Sequence, residues 1–118
     1  MKTILVVDDE KNICLLYKAE FEDEGYTVLT ASDGLEALEI VQNQAVDLIL
    51  LDIKMPKMDG PEFLRHIRQF NKTLPIILST AYGNHVLQDF SAWLSDDYIV
   101  KTADLSELKA KVKEALGE

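Results

Sequence analysis

A chain of 118 residues is shorter than the roughly 150 residues of a typical domain, so one domain over residues 1–118 is expected, with no room for a second catalytic or DNA-binding module. Hydrophobic residues at 47% and charged residues at 28% lie near globular averages, which argues against wholesale disorder. A formal charge of −9, from 12 Lys and Arg against 21 Asp and Glu, repels nucleic acid and anionic membranes and favours a cation or a basic surface as partner.

Five short apolar runs punctuate the chain: Ile4 to Val7, Tyr26 to Thr30, Leu48 to Leu51, Ile76 to Leu78 and Tyr98 to Val100. Between them lie longer mixed segments with helical spacing, so the pattern is a repeated βα alternation. Runs that are apolar throughout suit strands covered on both faces, hence a parallel sheet with helices on each side. The first helix is predicted over Lys11 to Glu24 and closes at Gly25. At about 100° per residue, Ile13, Leu16, Tyr17 and Phe21 share its core face, whereas Leu15 lies about 200° from Ile13 and is expected to be exposed. Asp104 followed by Glu107 reads as a capping signal for the last helix, whose stripe is Leu105, Leu108, Val112 and Leu116.

Cys14 is the single cysteine, so an intrachain disulfide is excluded, and His66 and His85 lie too far apart in the sequence to suggest a zinc site. A reducing, cytoplasmic setting is expected. The apolar runs are far shorter than the roughly 20 residues of a membrane helix, and Met1-Lys2 does not lead into a signal-peptide core.

Ligands of parallel α/β sheets bind beyond the carboxyl ends of the strands. Asp8 and Asp9 directly follow the first run and Asp52 directly follows the third. Were these strands neighbours, three carboxylates would converge and repel one another unless a cation sat among them. Mg²⁺, a hard ion held by one or two carboxylates, waters and a phosphoryl oxygen, is the expected occupant. Taken singly, aspartates at strand ends also serve as turn formers and helix caps. Thr80 follows Ile76 to Ser79 and Lys101 follows Tyr98 to Val100, and they would add a hydroxyl and an ammonium to the same rim. That set suits phosphoryl transfer, in which catalysis consists of positioning and charge neutralisation, with Asp52 as the nucleophile that forms an acyl phosphate.

Through the acidic pair in VVDDE, the LLDIKMPKMDG segment, STAYG and DDYIVK, the sequence resembles the receiver domains of two-component response regulators over essentially its whole length. The resemblance implies a flavodoxin-like, doubly wound five-stranded parallel sheet of order 2-1-3-4-5 with five helices. It implies Asp52 as phosphoacceptor, Asp9 as a direct Mg²⁺ ligand, Asp8 as a second acidic group acting through water, and Lys54 as a ligand through its backbone carbonyl. Thr80 matches the switch hydroxyl, Lys101 the family's lysine and Tyr98 the aromatic switch. Met55-Pro56 and Asp59-Gly60 match the loop after the phosphoacceptor.

Among receivers the resemblance is strongest to the single-domain sporulation phosphorelay regulator, through Lys54, Thr80-Ala81-Tyr82-Gly83 and the aliphatic Leu15. It implies a histidine kinase or histidine phosphotransfer protein as partner, docked at Leu15, a downstream phosphotransferase, and no contact with nucleic acid or membrane. With Glu118 just past the last helix, no effector is expected.

Two departures from the family pattern stand out: Thr102-Ala103 follows Lys101 where receivers usually carry a cis proline, and Leu94-Ser95 replaces the usual Gly-Ala. A cis bond before a non-proline residue costs about 2.5 to 4 kcal/mol, so the Lys101–Thr102 bond is predicted to be trans. A flavin or nucleotide binder of the same fold would need a phosphate-cradling loop, and Asp8-Asp9-Glu10 would repel the phosphate. An aspartyl-phosphate hydrolase would place a second acid where Lys54 stands. The remaining alternative is a non-phosphorylated, receiver-like interaction module.

Overall fold

The structure, a computed structural model, describes residues 2–52, 60–80, 97–100 and 105–117. Five strands, β1 (Thr3–Val7), β2 (Thr27–Ala31), β3 (Leu48–Asp52), β4 (Ile76–Thr80) and β5 (Asp97–Val100), form one parallel sheet. Their order is β2-β1-β3-β4-β5, as the resemblance implied. Helices α1 (Lys11–Asp23), α2 (Gly34–Asn43), α3 (Gly60–Phe70) and α4 (Ser106–Ala115) account for the described helical residues. A fifth expected helix, between β4 and β5, falls in residues 81–96, outside the described residues.

The wholly apolar runs divide by alternation into two cores. Leu5, Val7, Ile49, Leu51 and Ile76 pack with Ala37 of α2 and with Phe63 and Ile67 of α3. Ile4, Val6, Leu48, Leu50 and Ile77 pack with Cys14, Tyr17 and Phe21 of α1 and with Leu108 and Val112 of α4. The sheet is therefore covered on both faces, which is why its strands carry no polar alternation.

Local chemistry sets the helix ends. Gly25 adopts φ 97°, its N–H donates to Glu22 O at 3.0 Å, and Tyr26 N–H donates to Phe21 O at 3.1 Å. This is the Schellman closure, completed by the Phe21 and Tyr26 rings at 6.1 Å. Asp33 caps α2 by accepting from Glu36 N–H at 2.9 Å, while the Glu36 carboxylate accepts from Ser32 N–H at 3.2 Å. Arg68 of α3 donates to the carbonyls of Asn71 and Leu74, tying the helix end to the approach into β4. For α4 the cap position is Leu105, without a side-chain bond, and Asp104 lies outside the described residues.

One core expectation is corrected. Leu16 does not face the sheet; it is 45% exposed, and Cys14 takes the buried place instead. The buried direction of α1 runs through Cys14, Tyr17 and Phe21, and Leu16 projects about 130° away from it at about 100° per residue. β2 also begins one residue later than expected, because Tyr26 belongs to the closure of α1. Among the described residues no helix is long and apolar enough to cross a membrane.

Candidate functional site

The acidic pair follows β1, the strand flanked by β2 and β3. Val7 pairs with Ala31 on one side and Leu51 on the other. Consequently Asp8 and Asp52, each the next residue, leave adjacent strands at one level, with backbones about 4.8 Å apart. The juxtaposition expected of the two strand ends is thus produced by the sheet order.

Asp8 still follows the ladder through its amide, which donates to Ala31 O at 3.0 Å. The residue is 3% exposed, and its Oδ1 accepts from Glu10 N–H at 2.9 Å. The Cys14 thiol donates to the Asp8 carbonyl at 3.3 Å. Asp9 projects into solvent. Adjacent aspartates thus have opposite surroundings, one fastened beneath the strand end and one free to meet a ligand from the solvent side.

Backbone register extends the rim. Asp52 pairs with Ser79, and Thr80 pairs with Val100, so Thr80 lies one residue beyond the level of Asp52 on the neighbouring strand. Tyr98 pairs with Leu78 on the edge strand. Lys54, Tyr82, Lys101 and the Lys101–Thr102 bond lie outside the described residues.

Among the described residues no three His, Cys, Asp or Glu side chains converge as a metal-binding group. Asp8 and Asp9 nonetheless supply hard oxygen donors, two carboxylates at one strand end, which fits the small protein share of a Mg²⁺ coordination shell.

Leu15 is 56% exposed on α1, as expected, and Leu16 at 45% joins it as a second exposed leucine. The exposure of Leu16 and the thiol contact of Cys14 went unread in the sequence. One signal was available, since cysteine is among the most often buried residue types and so marks the core side of an amphipathic helix.

Comparison with known proteins follows the same lines. The model of the response regulator receiver domain matches residues 4–113. Sporulation initiation phosphotransferase F of Bacillus subtilis is 37% identical over 114 residues, covering 96% of this chain and 92% of that protein. Response regulator TrrA of Thermotoga maritima, solved in complex with Mg²⁺–BeF, is 48% identical with a TM-score of 0.92, covering 98% of this chain and 100% of that one. TrrA has also been solved in complex with histidine kinase ThkA, and there the TM-score is 0.90 at 48% identity over 98% of this chain and 99% of that one. The chain spans only 26% and 48% of the lengths of two transcriptional regulators that it also matches. Sheet order, strand-end acids and matched length agree: this chain belongs to the response regulator receiver domain family and is a receiver domain of two-component systems.

Proposed function

We propose that Asp52 accepts a phosphoryl group from a histidine of a kinase or phosphotransfer protein, and that the domain then switches conformation or hands the group to a downstream phosphotransferase. The observation that carries this reading is the pairing of Val7 with Leu51, which sets the backbones of Asp8 and Asp52 side by side at the carboxyl ends of two adjacent inner strands. In the reaction an Asp52 carboxylate oxygen attacks phosphorus, the bond to the donor imidazole nitrogen breaks, and the freed imidazole leaves. In this reading the chain catalyses the transfer onto itself and its own dephosphorylation.

Asp8, Asp9, Asp52 and the backbone carbonyl of Lys54 are the residues proposed to hold Mg²⁺. When bound, the ion offsets the negative charge of the carboxylates so that an anionic donor can approach. The Thr80 hydroxyl donates to one phosphoryl oxygen and the Lys101 ammonium neutralises another, with Tyr98 following the movement of Thr80. The relatives support this assignment, since TrrA is solved with Mg²⁺–BeF and with a histidine kinase. Within the same reading, residues 1–118 form one cytoplasmic receiver domain with a further helix inside 81–96, and α1 meets the donor protein at Leu15.

Intact-mass measurement with acetyl phosphate tests the proposal. One phosphoryl adduct is expected with Mg²⁺ and none after chelation, and Asp52→Asn is expected to remain unlabelled. Labelling of Asp52→Asn at the wild-type rate would overturn it.

A further inference from the structure

The β1–α1 connection, Asp8-Asp9-Glu10, is short and carries three acidic residues, so something must set its path. Two of the bonds that do so are local to the strand end: Asp8 N–H to Ala31 O, and Glu10 N–H to Asp8 Oδ1. The third comes from the helix. The Cys14 side chain, 8% exposed and packed with Val6 and Tyr17, brings its thiol to the Asp8 carbonyl at 3.3 Å. Meanwhile Glu10 O accepts from the amides of Ile13 and Cys14 at 3.0 and 3.2 Å, starting α1. The carbonyl of Asp8 belongs to the peptide unit whose nitrogen is that of Asp9, so whatever holds this oxygen orients the backbone of the exposed aspartate.

We infer that Cys14 is a positioning residue for the acidic pair: its thiol clamps the Asp8–Asp9 peptide to the first turns of α1 and so presets Asp9 for a divalent cation. This rests on the reading of Asp9 as a Mg²⁺ ligand. An outer group that orients a ligand raises affinity by sparing the bound state the cost of ordering it. The thiol suits a buried position because it packs as a small apolar group while keeping one weak donor.

Ala and Ser at position 14 have nearly the same volume and differ by a hydroxyl, which isolates the hydrogen bond from the packing. Mg²⁺ affinity, measured by calorimetry on the whole chain, is expected to fall roughly three- to tenfold in Cys14→Ala and to stay within about twofold of wild type in Cys14→Ser. Hydrogen exchange without metal supplies a second readout, with the Glu10 amide exchanging faster in Cys14→Ala than in Cys14→Ser. Equal Mg²⁺ affinity and equal Glu10 exchange in the two variants would overturn the inference. Asp9→Ala separates the two levels: if it leaves Mg²⁺ binding unchanged, the metal reading fails, whereas a difference between Ala and Ser in Glu10 exchange still upholds the clamp.

Discussion

Leu15 and Leu16 pose the sharpest question at the residue scale, because two neighbouring leucines are at least 45% exposed one turn into α1, close in sequence to the acidic pair. Desolvating such a surface requires another protein, and a helical donor can supply the complementary apolar face. Leu15→Asp is expected to slow phosphoryl transfer from a cognate donor protein at least tenfold while labelling by acetyl phosphate proceeds at the wild-type rate; tenfold corresponds to about 1.4 kcal/mol. Equal loss with both donors would point to a folding defect instead. The family resemblance implies that the bulky Lys54 and Tyr82 side chains flank the path of the attacking water, which predicts a long-lived acyl phosphate. Lys54→Asn with Tyr82→Ala is expected to shorten its half-life, followed by loss of the mass adduct after the donor is removed.

At the scale of elements, the end of α1 shows how one residue fixes a connection. Gly25 has φ 97°, and a Cβ added there would meet nothing within 4 Å, so the cost of a side chain is conformational alone. Gly25→Ala is expected to lower stability by about 1 to 2 kcal/mol, read from the urea midpoint, without altering phosphorylation. Across the sheet face, Lys109 of α4 reaches Glu20 at 3.3 Å and Glu24 at 3.7 Å, fastening α4 to α1. Chiefly the hydrogen bond to Glu20 raises the Lys109 pKa above the ordinary lysine value. A raised folded-state value means that the stabilisation is present below the unfolded lysine value and disappears as pH climbs through the folded one. At neutral pH it is therefore fully expressed, and Lys109→Gln should lower the urea midpoint slightly, by a margin that closes in about 1 M salt.

The elements also show what the sequence could and could not convey. Strands were legible because Ile4 to Val7 and Leu48 to Leu51 are apolar without interruption, and the strand-end position of Asp8 and Asp52 followed directly. That β1 lies beside β3 was legible only through the family resemblance, since local pattern does not encode which strands pair. Leu16 was misplaced because a helical wheel with five large apolar residues admits more than one core direction, and packing against Val6 and Leu50 selects the one through Cys14. The bond from Cys14 to Asp8 depends on that rotation and was therefore invisible as well.

Over the whole molecule, a −9 charge accompanies the proposed Mg²⁺ site, and an ion held only by the folded chain would stabilise it. Mg²⁺ at about 100 times its dissociation constant is expected to raise unfolding free energy by about 2.7 kcal/mol. Asp9→Ala should abolish that increment in a thermal melt, and a full increment in the variant would remove Asp9 from the metal site.

At the opposite end of the β1–β3 pair from the acids, Thr3 N–H donates to Asp47 Oδ2 at 2.7 Å and Asp47 N–H donates to Thr3 O at 2.8 Å, joining residues 44 apart in sequence. Every stretch of chain between them, including β2 and both of its flanking helices, is synthesised before β3 can enter its slot. At roughly 5 to 20 residues per second, β1 emerges several seconds ahead of its inner neighbour. Until β3 enters, β2 is the one sheet neighbour of β1 that has been made, and the acids have no opposing Asp52. A nascent chain halted after α2 would carry Asp8 and Asp9 without Asp52, and one halted after β3 would still lack the Thr80 and Lys101 of the proposed site.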